Sequence, residues 1–121
     1  MKKEILVRVV ALFGFFAIGM AQAQDPECAT NLSIYAEHVK VKNYDAAYGP
    51  WKLVYDACPG LNKANFSDGE RILDHKIENS QGAEKDAFIN DLLALYDKSM
   101  EHFPKNYSLA DVTADKASLL Y

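Results

Sequence analysis

Three histidines stand beside carboxylates, at Glu37-His38, Asp74-His75 and Glu101-His102, the residue types that ligate metals or pass protons. Adjacent positions on a helix point about 100° apart, so the members of each pair do not face one another. No two histidines lie three or four residues apart, and a helical metal pair needs that spacing. These side chains therefore read as solvated or boundary histidines; His102, protonated, would also favour the end of its helix. Neither a serine-elbow nor a thiol-protease signature occurs. The carboxylate pairs Asp68/Glu70 and Asp111/Asp115 have ordinary cap and surface explanations. Glycine-rich loops of phosphate-binding spacing are missing as well. The expectation is a non-catalytic protein with no metal and no cofactor. Three glycosylation sequons, at Asn31, Asn65 and Asn106, read as coincidences, since Asn31 falls within an expected helix and the leader is of bacterial type.

That leader is residues 1–23. Lys2, Lys3 and Arg8 surround the start of an apolar run from Ile5 to Met20, and Ala21-Gln22-Ala23 supplies small residues for cleavage after Ala23. A membrane-spanning helix wants about 20 clean apolar residues, and Arg8 interrupts this run, so no transmembrane anchor is expected in the mature chain. The preceding Asp25-Pro26-Glu27 gives Cys28 no lipidation motif. The whole chain carries 13 basic and 17 acidic residues. Loss of the leader removes three of the former and only Glu4 of the latter. A chain that acidic tracks phosphates poorly, so nucleic acid is not an expected partner.

Residues 24–121 suffice for one small domain, and their apolar spacing is helical throughout. A first helix is expected over Ala29–Val41, with Leu32, Tyr35, Ala36 and Val39 on one face. Asn43 caps a second, carrying Ala47, Trp51, Val54 and Tyr55, which Pro59-Gly60 stops. Ser67 and Glu70 form a capping box that opens a third, with Ile72, Leu73 and Ile77. Gly82 separates it from a fourth, which ends at Pro104 and whose apolar side chains from Phe88 to Phe103 span an arc of roughly 160°. So broad an arc implies packing on two sides. Ser108 caps a fifth, holding Leu109, Val112, Leu119 and Leu120.

The run KNYDAAYGPWKLVYDACP, Lys42 to Pro59, resembles the second half of a tetratricopeptide repeat, with small Ala47, aromatic Trp51, compact Val54 and closing Pro59. Leu32, Tyr35, Ala36 and Val39 are similar to the large–large–small–large pattern of that family's first helix. The resemblance is close over Leu32–Pro59. It departs from the family in placing Ala36 where glycine is usual, in a turn one residue short, and in Pro50, which should kink the second helix. A divergent second unit resembles the pattern at Leu92, Tyr96, Ser99 and Pro104. Trp51 to Tyr96, like Pro59 to Pro104, is 45 residues, which suggests an extended first helix and loop in that unit. The resemblance implies an all-α fold of antiparallel helix pairs stacked as a short solenoid; a four-helix bundle is the alternative. Such arrays need about three units, so residues 24–121 are expected to be the front of a longer array, or to have a last helix that docks on something.

The function implied is a protein–protein scaffold of the bacterial cell envelope, holding an unidentified protein or peptide on a concave face lined by first helices. Ile34 and Val41, with Glu37 and His38, lie on the polar face of the first helix and are the candidate contact patch. The alternative is capture of a glycan or other small ligand, for which Trp51 is the best stacking residue. Antiparallel pairing of the first two helices would also bring Cys28 to Cys58, and export would oxidise the pair to a disulfide.

Overall fold

The computed structural model describes residues 26–121; the expected leader, residues 1–23, lies outside the described residues. Among them five α-helices follow one another, with no strand: α1 (Pro26–Lys40), α2 (Tyr44–Ala57), α3 (Ala64–Glu78), α4 (Gly82–His102) and α5 (Leu109–Leu120). Pro26 is the first described residue of α1. At the other end the amide of Lys42 donates to the Val39 carbonyl (3.0 Å) and that of Asn43 to His38 (2.8 Å). This paired closure puts Lys42 in the left-handed region at φ 59°. Asn43 caps α2, its side chain accepting from the Ala46 amide at 3.4 Å, and α2 runs unbroken across Pro50.

The start of α3 corrects the capping-box reading. The helix begins at Ala64, three residues before Ser67, after a 3-10 turn over Pro59–Leu61. Its first amide donates to the Asn62 side chain at 2.8 Å. Burial decides the earlier start, because Asn65 and Phe66 enter the core only as helical residues. The extra length of the second half also lies elsewhere than expected. Both α1 and α3 have 15 residues, whereas α4 has 21 against 14 for α2.

Each helix packs on its neighbours in sequence, and α3 additionally touches α1. The disulfide Cys28–Cys58 joins the first turn of α1 to the residue after α2, so these two helices run antiparallel. The core holds Tyr35, Ala47, Trp51, Val54, Phe66, Ile72, Leu73, Leu92, Leu95 and Val112. Trp51 stacks on Tyr55 at 4.9 Å. Its indole lies flat against Gly69 of α3, where any Cβ would stand 2.7 Å from the ring. The broad arc of α4 is buried at Leu92, Leu95, Tyr96 and Ser99, with Phe88 and Met100 partly buried beside them. Val112 is the one fully buried side chain of α5.

Candidate functional site

Between the second half of α1 and the start of α3 lies an open groove of about 560 Å³. Ala36, Val39 and Lys40 form one wall and Asp68 and Arg71 the other, while Lys42 and Tyr44 close the end. The helical repeat explains the sharing, since 36 and 40, like 68 and 71, fall on one face of their helices. Arg71 stands 3.6 Å from Asp68. Burial pushes the Asp68 carboxyl up from its ordinary range, and the Arg71 charge partly opposes that. Lys40 pairs with Glu37 at 3.2 Å, but both side chains are 72% exposed, so the pair separates at little cost.

The groove's walls are held from behind by a buried polar knot. Asn65, wholly buried on α3, accepts from the Tyr35 hydroxyl of α1 through Oδ1. Its Nδ2 donates to the carbonyls of Cys58 (3.1 Å) and Pro59 (3.2 Å), and its own carbonyl accepts from Trp51 Nε1 at 2.7 Å. One residue thus ties α1, α2 and the turn after α2 to α3, beside the disulfide. Burial also raises the Tyr35 phenol well above its ordinary range.

On the opposite flank of α3 a second groove, about 260 Å³, is lined by Glu70, Asp74, Tyr96 and Asp115. The Tyr96 hydroxyl donates to Glu70 at 3.3 Å. Glu70 and Asp74 are both pushed above the ordinary carboxylate range, chiefly by burial, with Asp115 and Asp74 adding to the effect on Glu70 and Glu78 to that on Asp74. Among the described residues no group of three or more His, Cys, Asp or Glu is arranged to hold a metal.

The contact residues expected from sequence stay together on α1, away from both grooves. None of Ile34, Glu37, His38 and Val41 lines the α1–α3 groove. Ile34 (43% exposed) and Val41 (73%) are surface side chains. With His38 they continue, at helical spacing, the stripe of Glu27 and Asn31 that borders a small cleft against Leu53 and Ala57. His75 instead approaches Asp45 at 3.4 Å, and Lys76 reaches the same carboxylate at 2.9 Å. These two, Lys76 first, hold the Asp45 carboxyl below its ordinary range. His102 stacks on Phe66 at 5.9 Å. Of the sequons, Asn65 is core, and Asn31 turns back to the Glu27 carbonyl at 3.1 Å. Sequence reasoning missed Asn65, Lys40, Lys42 and Arg71; the one available signal was a lysine in a turn position that favours glycine.

Compared with known proteins, the chain matches no protein-family model, no curated protein and no solved structure.

Proposed function

We propose that this chain is a non-catalytic, exported adaptor of the cell envelope. In this reading it is a short tetratricopeptide-like stack that holds a protein or peptide in the groove between α1 and α3. The observation that carries the reading is that groove, which opens between the first helices of two successive pairs and is braced by the Tyr35–Asn65 bond.

Helix spacing supports the stacked arrangement. α3 ends 38 residues after α1 (78 against 40), and α4 starts 38 after α2 (82 against 44). At that same offset buried Tyr35 answers to buried Leu73, and buried Val54 to buried Leu92. α3 packs on both members of the first pair, whereas α4 makes no substantial contact with α1. A closed four-helix bundle would bring its first and last helices together. Export is supported by the Cys28–Cys58 bridge, which persists in oxidising compartments, and by the leader-like residues 1–23. Among the described residues no helix is long and apolar enough to cross a membrane. The glycan alternative loses its best residue, because Trp51 is only 1% exposed and its N–H is already bonded.

Ala36→Trp, which fills the groove, tests the reading. Envelope proteins retained by the wild type and lost by a folded Ala36→Trp variant, identified by mass spectrometry after pull-down, would support it. Identical sets from both proteins would remove it.

A further inference from the structure

We propose that the Cys28–Cys58 bridge is a redox latch: a dithiol reductant opens it and releases residues 26–31 of α1, while the rest of the stack stays folded. This goes beyond the adaptor reading and does not depend on it. Burial along α1 is uneven. Among the described residues Cys28 is the one buried side chain of α1 before Tyr35. Between them only Asn31 and Leu32 are partly buried. The polar side chains of this stretch bond back along the helix. Thr30 donates to the Pro26 carbonyl (2.9 Å), Asn31 to that of Glu27 (3.1 Å) and Ser33 to that of Ala29 (3.3 Å). Back-bonds of this kind slightly weaken a helix, and Thr, Asn and Ser are poor helix formers. From Leu32 onward the core takes over, above all through Tyr35 and its bond to Asn65.

The two ends of the bridge are anchored unequally. The Cys58 amide donates to the Val54 carbonyl at 2.7 Å, and its carbonyl accepts from the Leu61 amide and from Asn65 Nδ2, both at 3.1 Å. Breaking the bridge leaves those bonds in place, so Cys28 is the end that moves. A cleft of about 110 Å³ already parts α1 from α2 there, with Glu27, Cys28 and Asn31 facing Leu53 and Ala57. The chemistry is thiol–disulfide exchange. One thiolate of the reductant attacks a bridge sulfur and forms a mixed disulfide, and the other cysteine leaves as a thiolate and takes up a proton. The reductant's second thiolate then displaces the remaining cysteine, which is protonated in turn. The bridge gains two electrons and two protons, and the dithiol supplies both as it closes to its own disulfide.

The test reduces the purified protein with dithiothreitol at neutral pH and then pulses it with iodoacetamide. Peptide mapping gives the rates at Cys28 and Cys58, each relative to the urea-unfolded protein. In the bridged fold Cys28 is only 4% exposed whereas Cys58 is half-buried. After reduction Cys28 should nonetheless react about tenfold faster than Cys58, because only its segment opens locally. Hydrogen exchange at short times supplies the second readout. Amides of residues 30–34, whose helical acceptors are residues 26–30, should exchange about tenfold faster once the bridge is open. Core amides of α2 and α3 should stay protected over the same times. Equal rates at the two cysteines, or faster reaction at the more exposed Cys58, would overturn the proposal. So would unchanged exchange at residues 30–34, or loss of protection throughout α2 and α3, which would make the bridge a staple of the whole fold.

Discussion

Asn65 is the residue on which most of the packing turns. Buried polar groups are tolerated when every donor and acceptor is matched, and here Oδ1, both Nδ2 protons and the carbonyl all have partners. Asn65→Ala takes a partner from the Tyr35 hydroxyl and the Pro59 carbonyl, while the Cys58 carbonyl keeps the Leu61 amide at 3.1 Å, and should cost roughly 2–4 kcal/mol in urea melts. Gly69 is constrained differently. A methyl there meets the Trp51 indole at 2.7 Å, a ring itself stacked on Tyr55 and bonded to Asn65, so it cannot retreat cheaply. Gly69→Ala should destabilise by about 1–3 kcal/mol, and a neutral result would mean the indole sits elsewhere. Ala47, also wholly buried, should respond to Leu on the same scale. Lys42 runs the opposite way. Left-handed backbone costs a non-glycine residue roughly 1–2 kcal/mol, and glycine's extra unfolded-state freedom offsets part of the relief. Lys42→Gly should therefore gain about 0.5–1 kcal/mol in the same melts.

Among the elements, the α1–α2 hairpin depends on its covalent tie. The bridge closes a loop with a sequence separation of 30 residues. On the chain-entropy estimate, reduction should cost about 3–4 kcal/mol, read as the shift between urea melts with and without reductant. Two free thiols in non-reducing peptide mapping would contradict the bridge. The outer stripe of α1 should matter little to folding. Ile34→Ser with Val41→Ser is expected to change stability by no more than about 0.5 kcal/mol, since both side chains are already solvated. The elements also explain the 45-residue spacing of Trp51 and Tyr96. The α1 and α3 ends and the α2 and α4 starts repeat at 38, and the additional seven residues amount to two helical turns. Seven residues return a side chain to nearly the same face, so both aromatic rings point inward although they occupy different levels of their helices.

Across the whole molecule, opposite charges mostly pair, but one cluster of carboxylates stands apart. Glu70, Asp74 and Asp115 line one groove with Tyr96, and α5 is seated on α4 beside it by Val112 and by a Lys116–Asp97 pair at 2.6 Å. Glu70, Asp74 and Asp68 all bind protons more readily folded than unfolded, mainly through burial. Groups raised in this way contribute stability that is complete below their unfolded values, near 4, and lost as pH rises through the folded ones. The melting temperature should thus rise as pH falls from neutrality toward 4, and Glu70→Gln should flatten that dependence. Asp45, shifted the other way, would lose its contribution only at lower pH. A melting temperature that falls steadily over the same range would show that other groups dominate.

Helices and their faces were legible because burial is periodic. Tyr35, Val39, Ala47, Trp51, Val54, Ile72 and Leu73 could each be assigned inward from a spacing of three or four. Asn43 and Ser108 could be assigned as caps because capping is local chemistry. The proximity of Cys28 and Cys58 followed from reading two helices as antiparallel. The start of α3 was not legible, because Asn62, Asn65 and Ser67 are all competent near a helix N-terminus and only the core into which Asn65 and Phe66 fit chooses among them. Nor was the groove. Which flank of α1 faces α3 is set by the Tyr35–Asn65 bond and by the close approach of Gly69 to Trp51. Those contacts join residues 30 and 18 positions apart. Residue spacing along a helix specifies a face, and only the packing of one helix on another decides what that face meets.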